Sequence, residues 1–324
     1  MLSSGYGRGL YSAESFRSSF LVLAVRAAPP SENDKFVMFG SFLAPGLLAR
    51  MRHRPIPGRG TMSRRWSGNT WIGSGAAYFV GDVHDNDLHA HYVIQIAIAT
   101  EGAVRVSDSH GQEHCADALI IPSTMPHCVR GTTLATDTLL IFLEPASELG
   151  RTINAQYPWV AGEFVPVPHD RVDAARRVFM DSSEIDGEPL VRALTAAVTG
   201  GAWRHRAVDR RVACALDYID HHLTDADSLD HVAERLSVTS RYLRKLFERE
   251  LGISPQRYRQ WCKLRAALRC VLAGNSFTEA AATAGFTDSA HFSRTFRSMF
   301  GAPPSNVFDS ALVRRASIDT NQAV

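Results

Sequence analysis

Residues 277–304 read FTEAAATAGFTDSAHFSRTFRSMFGAPP, and this stretch decides the fold of the C-terminal half of the chain. Its first part predicts an alanine-rich helix from Thr278 to Ala284, which Gly285 can end by adopting the left-handed conformation. Asp288 is placed to cap a second helix, on which phenylalanine recurs at helical spacing and can be buried. The stretch therefore predicts a helix-turn-helix unit with cationic side chains on the outer faces of its second helix.

The same pattern occurs once before, between Ser228 and Leu251, with Thr239 as the cap of its second helix. The apolar stripe of that helix consists of Leu243, Leu246, Phe247 and Leu251. A helix over residues 254–273 joins the two units and spans roughly 30 Å at 1.5 Å per residue. Successive major-groove segments on one face of B-DNA are roughly 34 Å apart. Two cationic units at this separation favour DNA binding over an ordinary helical core.

Residues 208–308 resemble the AraC/XylS-type transcription regulators. The second unit of that family has the pattern G-F-x-D-x-x-x-F-x-R-x-F-x-x-x-F-G-x-x-P, and the residues from Gly285 to Pro304 match every fixed position. In the first unit, Leu243, Phe247 and the run from Leu251 to Tyr258 also match. This chain departs from the family where Lys245 and Lys263 stand at positions that usually carry arginine. Lysine cannot form the two-pronged contacts of arginine with guanine or phosphate.

The resemblance implies a regulator that binds double-stranded promoter DNA through both second helices, works with RNA polymerase and has no enzymatic activity. We expect eight side chains to contact DNA: Arg241, Arg244, Lys245, Arg249, Lys263, His291, Arg294 and Arg297. Three of them, Arg241, Arg244 and Arg294, are expected to read bases, because arginine can fork onto a guanine edge. Lys263 is expected to contact phosphate.

Composition sets the broad class of the protein. A chain of 324 residues suggests more than one domain, and its net charge of +2 leaves the cationic character local to the two second helices. The five cysteines show no CxxC pairing, which is typical of reduced thiols in a cytoplasm. No apolar run is long enough to cross a bilayer, so we expect a cytoplasmic protein without a membrane partner.

The chain divides into five predicted segments. Residues 1–61 lack sustained periodicity and are expected to be a disordered or non-native leader, and residues 310–324 a flexible tail. Residues 62–165 are expected to form a small β-barrel, and residues 207–309 the DNA-binding domain. The segment 166–206 predicts two helices whose apolar stripes form a homodimer seam or cover the barrel of their own chain; the pattern alone leaves both open.

Short β-type runs separated by turns support the barrel. They are Ala77–Val80, Tyr92–Thr100, Ala103–Ser107, Ala118–Ile121 and Thr138–Phe142. The expected fold class is thus a multidomain α and β protein, with an N-terminal cupin-like β-barrel, a helical linker and an all-α domain with two helix-turn-helix units.

Four polar residues of the predicted barrel resemble the cupin pattern. His89 and His91 form its His-x-His pair, Gln95 stands where that family has glutamate, and His127 is the later histidine. Cupins hold a metal with these positions. The missing carboxylate favours a metal-free site in which these four residues bind a small polar effector, and we expect no cofactor. A divalent ion on His89, His91 and His127 is the alternative.

Two further function classes remain open beside an effector-responsive regulator. One is a cupin-type metalloenzyme with an accessory DNA-binding domain, and the other is a repressor or architectural protein without an effector. The identity of the effector and of the operator, and the choice between activation and repression, do not follow from the residues.

Overall fold

The computed structural model describes residues 66–131, 137–157, 163–182, 186–201, 203, 207–223, 229–308 and 317–318. All of them belong to one compact unit, Ile56–Val324. The leader expected at residues 1–61 lies outside the described residues. Within them, the expected multidomain α and β architecture is confirmed, because a β domain (residues 66–201) precedes a helical domain (residues 207–308) with two helix-turn-helix units.

The described residues form two β-sheets, which the β domain supplies except for the last strand. The strands are β1 (Ser67–Ile72), β2 (Ala76–Asp82), β3 (Ile94–Ala99), β4 (Val104–Ser107), β5 (Glu113–Ala116), β6 (Ala118–Ile121), β7 (Cys128–Arg130), β8 (Thr138–Leu143), β9 (Val165–Pro166) and β10 (Ser317–Ile318). Seven strands form the larger sheet in the order β10-β1-β2-β8-β3-β6-β9, and three form the smaller sheet in the order β5-β4-β7. Strand β10, which lies in the expected flexible tail, pairs with β1 in parallel.

The larger sheet is covered on both faces. One face packs on the smaller sheet through side chains such as Phe79, Leu119 and Leu140. The other face packs on helices through Ile94, Ile96 and others. Because both faces are covered, strand β3 is buried at every position and its sequence, IQIAIA, does not alternate between apolar and polar residues.

Three helices complete the β domain: α1 (Glu148–Gln156), α2 (His169–Asp181) and α3 (Glu188–Thr199). The apolar stripes of α2 and α3 pack against the larger sheet of their own chain. These stripes consist of Val172, Ala175, Leu190, Val191, Leu194 and Val198, each at most 3% exposed. These residues are therefore already buried within one chain.

The helical domain contains α4 (Arg210–His221), α5 (Leu229–Arg235), α6 (Ser240–Leu251), α7 (Pro255–Leu272), α8 (Phe277–Thr283), α9 (Ser289–Phe300) and α10 (Pro304–Val307). Helices α5 and α6 form the first helix-turn-helix unit, α8 and α9 form the second, and α7 joins them. None of the helices in the described part of the chain combines the length and the apolar character that crossing a bilayer requires.

The two units share the same turn geometry. In the second unit, Gly285 has a positive φ of 72°, and the amide of Phe286 donates to the carbonyl of Ala281. In the first unit, Ser237 has a φ of 53°, and Val238 donates to the carbonyl of Ala233. Ser237 thus holds the left-handed position without the steric freedom of glycine, which costs conformational energy.

The β domain and the helical domain are joined by a buried ion pair. Glu144, directly after β8, accepts from Arg265 in the middle of α7 and from the indole of Trp261 at 2.9 Å. Arg265 also donates to Asp220 on α4. The side chains of Glu144 and Arg265 are only 7% and 8% exposed, so each depends on the other for compensation of its charge.

Replacing Glu144 by alanine is expected to lower the free energy of unfolding by about 3 to 5 kcal/mol, because Arg265 would remain buried with an incomplete set of partners. Chemical unfolding of the full chain measures the change. Glu113→Ala is the matched control, since Glu113 pairs with Arg105 on the surface and such pairs contribute about 0 to 1 kcal/mol. Equal losses in the two variants would contradict this role of Glu144.

Candidate functional site

Helix α6 presents a cationic face because its apolar stripe is buried. Thr239 caps the helix by accepting from the amide of Tyr242 at 3.2 Å. The four expected stripe residues, from Leu243 to Leu251, are at most 5% exposed. The opposite faces carry four exposed cations: Arg241, Arg244, Lys245 and Arg249. The structure therefore places every predicted contact residue of this helix at the surface.

Helix α9 has the same organisation in the second unit. Asp288 caps it by accepting from the amide of His291 at 2.6 Å. Phe292 and Phe296 are buried, whereas Arg294 and Arg297 are exposed. His291 is partly exposed, and its ring lies edge-on to Phe286.

Phe300, one of the phenylalanines that the sequence predicts to be buried, and its neighbour Met299 are only partly buried. They lie at the end of the helix that approaches the β domain. The Phe300 ring lies 5.9 Å from those of His91 and Phe142. Phe300 thus contributes to the interface between domains as well as to the interior of the helical domain, where its ring lies 4.8 Å from that of Phe296.

Lys263 on α7 lies against the turn of the second unit. Its ammonium group donates to the carbonyl of Gly285 at 2.7 Å, and the side chain is partly exposed. Burial lowers the pKa of Lys263, and the neighbouring Arg259 lowers it further. Lys263 therefore supports the turn that positions α9, in addition to any contact with phosphate.

The structure brings together the four polar residues that the sequence singles out in the β domain. Gln95 lies on β3, His89 and His91 lie just before it, and His127 precedes β7. The backbones of His89 and His127 are paired by two hydrogen bonds of 3.0 and 2.9 Å. One ring nitrogen of each histidine lies within 4.8 Å of those of the other two. All four side chains are at most 5% exposed.

Backbone hydrogen bonds determine the tautomers of the three histidines. The Nδ1 atoms of His89, His91 and His127 each lie 2.9 Å from a carbonyl oxygen. A carbonyl oxygen only accepts, so each Nδ1 carries the proton and each neutral ring keeps a free lone pair on Nε2. Each ring therefore offers one acceptor nitrogen to the site.

Burial keeps these rings neutral. Desolvation lowers the pKa of His89 to about 3, with a further contribution from His91. Desolvation likewise lowers the pKa of His91, and that of His127 falls well below its usual value through desolvation and its two neighbours. The site thus offers lone pairs rather than positive charge near neutral pH.

Gln95 decides what this site can hold. Its Oε1 atom lies 3.0 Å from Nε2 of His91 and 3.4 Å from Nε2 of His127, while its amide nitrogen has no partner within the described residues. Two acceptors cannot share a hydrogen bond. Either the amide is turned so that its NH₂ group donates to the rings, or a cation lies between the acceptors. Three imidazoles and an amide oxygen are a donor set that fits a divalent ion such as zinc.

Two neighbouring residues were missed by reasoning from the sequence. Asn86 and Asp87 precede His89 in the loop before β3, and both contact the end of α9. Asp87 and Arg297 are 210 positions apart. No local pattern of the sequence signals a contact over that separation.

Comparison with known proteins supports the assignment of the helical domain. Residues 232–310 match a family model described as a helix-turn-helix domain. The transcriptional activator RhaS of Escherichia coli O139:H28 is 33% identical over 98 residues, which cover 30% of this chain and 35% of the relative. RhaS of Escherichia fergusonii is 31% identical over 100 residues, or 31% of this chain and 36% of the relative. The match thus spans about a third of the length of these relatives.

Solved structures extend the similarity of fold to both domains. The structure of ToxT from Vibrio cholerae O395 aligns with a TM-score of 0.51 at 11% identity, covering 71% of this chain and 96% of that chain. An apo ToxT variant from strain SCE256 aligns with a TM-score of 0.51 at 10% identity, covering 72% and 96%. With the motif from Gly285 to Pro304, the matches identify the C-terminal part of this chain as an AraC-type helix-turn-helix domain.

Proposed function

We propose that this protein is a sequence-specific DNA-binding transcription regulator that activates or represses promoters in response to an effector. The observation that carries the proposal is the pair of recognition helices, α6 and α9. Each buries its apolar stripe and exposes cations, which is the arrangement expected of a helix in the major groove.

The connection between the two helices supports simultaneous binding. Helix α7 has 18 residues and is continuous from Pro255 to Leu272. Its length of roughly 27 Å is of the same order as the roughly 34 Å between successive major-groove segments. Ser254 caps it and Pro255 stands in its first turn, so its N-terminal end is well defined. A rigid connection lowers the ordering cost of placing α6 and α9 in adjacent grooves.

The matched relatives are named transcriptional activators, which favours a regulator, and activation in particular, over the cupin-type metalloenzyme. A regulator of this kind acts on promoter DNA in the cytoplasm and contacts RNA polymerase. Homodimer formation belongs to the same proposal, through a surface other than the buried stripes of α2 and α3.

The proposed effector site consists of His89, His91, Gln95 and His127. Because three lone pairs converge there, the occupant supplies either hydrogen-bond donors or positive charge. The nitrogens lie within 4.8 Å of one another, which leaves room for one ion or one small polar group between them. A larger effector requires the loop that carries His89 and His91 to move.

Arg244→Ala and Arg294→Ala are each expected to weaken operator binding by about 1 to 3 kcal/mol and to relax base preference at one position, because each removes an arginine from a guanine edge. Footprinting of the full chain on DNA upstream of its own gene identifies the operator, and titration then measures the affinities. Lys263→Ala is expected to weaken binding to all sequences alike, since phosphate contacts carry no base information.

Arg105→Ala is the control for these variants, because it removes an exposed arginine from the β domain without touching either recognition helix. Its operator affinity is expected to equal that of the wild type. If Arg244→Ala and Arg294→Ala also bind as tightly as the wild type, the assignment of α6 and α9 as recognition helices is wrong.

The sequence favours a metal-free site, but the close approach of the three histidines favours an added ion. Zn²⁺ added to chelator-treated full chain is expected to bind at about one ion per chain, because one ring nitrogen of each histidine lies within 4.8 Å of the other two. Calorimetry measures the stoichiometry, and imidazole ¹⁵N shifts report Nδ1–H tautomers. His91→Ala should abolish this binding, whereas the exposed His110→Ala should not. Elemental analysis of protein purified without chelator shows whether an ion is resident.

Absence of His91-dependent binding would instead mean that the Gln95 amide donates to the rings. The site would then accept only a hydrogen-bonding effector.

A further inference from the structure

The second recognition helix is docked on the β domain by its C-terminal end. Arg297 donates from Nε at 3.2 Å and from Nη2 at 2.6 Å to the same carboxylate oxygen of Asp87. The amide of Asp87 donates to the carbonyl of Gly301 at 2.8 Å. The side-chain amide of Asn86 donates to the carbonyl of Phe300 at 3.0 Å. Asn86 and Asp87, which we call the clamp, thus bind both the side chain and the backbone of α9.

The clamp binds the Arg297 side chain, which is also expected to contact DNA. Arg297 is exposed on the same helix as Arg294 and is among the predicted DNA contacts. The contact in which two guanidinium donors bind one carboxylate oxygen resembles the contacts that arginine makes with DNA phosphates. While Arg297 is bound to Asp87, the positive charge of Arg297 is balanced within the chain.

The clamp is built to fit the end of this helix. A Cβ atom on Gly301 would lie 2.2 Å from the carbonyl oxygen of Asp87 and 2.8 Å from Nδ1 of His89, so only glycine permits this approach. The Oδ1 atom of Asn86 accepts from the amide of Val129 at 2.7 Å, which fixes the orientation of the Asn86 side chain. Both clamp residues are therefore held by the β domain as well as by α9.

The clamp is also connected directly to the histidine site. The carbonyl oxygen of Asp87 accepts from Nδ1 of His89 at 2.9 Å. The ring of His91 lies 5.9 Å from that of Phe300 at the end of α9. A change in the position of His89 therefore reaches Asp87 through one hydrogen bond.

We propose that Asp87 is an intramolecular competitor of DNA phosphate, which holds Arg297 and the second recognition helix in a state of reduced DNA affinity. The inference rests on the proposed DNA-binding function and adds a regulatory role for a residue outside the helix-turn-helix domain. In this state the first recognition helix remains accessible, and the second binds DNA fully only after Arg297 leaves Asp87. The histidine site lies one hydrogen bond from this contact, where an occupant can alter it.

The test is a double-mutant cycle on the full chain, with a duplex that the wild-type full chain has selected from a random library. Asp87→Asn keeps the shape and removes the charge, and is expected to tighten binding about two- to fivefold, as for an exposed ion pair. Arg297→Ala is expected to weaken it. Adding Asp87→Asn to Arg297→Ala should then have no effect, because the competitor acts only through Arg297.

Glu101→Gln controls for the general effect of removing a negative charge from the β domain. Glu101 is exposed in the turn between β3 and β4, and its replacement should leave affinity unchanged at about 0.15 M salt, where screening acts over about 8 Å. Asp87→Ser is a second variant that should reproduce the tightening. Circular dichroism verifies that every variant is folded.

The outcomes separate this inference from the proposed function. If DNA binding depends on Arg244 but neither Asp87→Asn nor Asp87→Ser binds DNA more tightly than the wild type, Asp87 is not a competitor. The proposed function as a regulator is then unaffected. Equal tightening with and without Arg297 also overturns it, since a general charge effect would then suffice. If the wild-type chain selects no duplex from the library, both this inference and the proposed function are wrong.

Discussion

The ion pair between Glu144 and Arg265 is the constraint on which the arrangement of the two domains depends. Glu144 follows β8, the central strand between β2 and β3, and Arg265 lies in the middle of the helix that joins the two helix-turn-helix units. Asp220 brings α4 to the same guanidinium. Burying these charges is unfavourable unless all of the partners are present, so the sheet, α4 and α7 are held in one relative orientation.

That orientation explains where the other interdomain contacts occur. With α7 held against the end of the sheet, α9 crosses the loop before β3, and Phe300 reaches the rings of His91 and Phe142. The aromatic side chain of Tyr92 packs against Tyr258 and Trp261 nearby. The histidine site and the second recognition helix become neighbours because a buried charge pair, rather than either of them, positions α7.

The helical domain could be predicted almost entirely from the sequence. Its helices have strong apolar periodicity, side-chain caps such as Thr239 and Asp288, and glycine at 252 and 301, where α6 and α9 end. These signals are local, because capping and amphipathic burial act within one or two turns. The left-handed Ser237 could not be recognised, since serine carries no preference for that conformation.

The β domain was predicted less completely, for physical reasons that differ between elements. The strands richest in apolar residues, including β3 and β8, were located, whereas β1, with the sequence SGNTWI, was missed because pairing with β2 rather than composition makes it a strand. Helix α1 was missed because Gly150 and Asn154 weaken its propensity, and burial of Leu149 and Ile153 compensates.

The histidine site was only partly accessible from the sequence. The resemblance to the cupin pattern predicted that His89, His91, Gln95 and His127 form one site, and in the structure one ring nitrogen of each histidine lies within 4.8 Å of those of the other two. What binds there remains a prediction. Neither the tautomers nor the contact between Asp87 and Arg297 could be derived, because both depend on atoms brought together by the tertiary fold.

The two kinds of interdomain contact have unequal strengths, and this inequality permits a partial release of α9. The Glu144–Arg265 pair is buried, and breaking such a pair costs about 3 to 5 kcal/mol. The side chains of Asp87 and Arg297 are 63% and 61% exposed, so their pair contributes at most about 1 kcal/mol. An apolar cavity of about 70 Å³ lies beside the buried pair and reaches the end of α9, since Glu144, Arg265 and Phe300 are among its lining residues.

Closely packed side chains transmit the displacement of one element to its neighbours, whereas a cavity leaves room for side chains to move without displacing their neighbours. The end of α9 can therefore leave Asp87 while the buried pair keeps α7 on the sheet. Competition by DNA phosphate for Arg297 needs to break only the exposed ion pair. Release of the end of α9 also breaks the two hydrogen bonds that the clamp makes to Phe300 and Gly301. In neither case do the two domains have to separate.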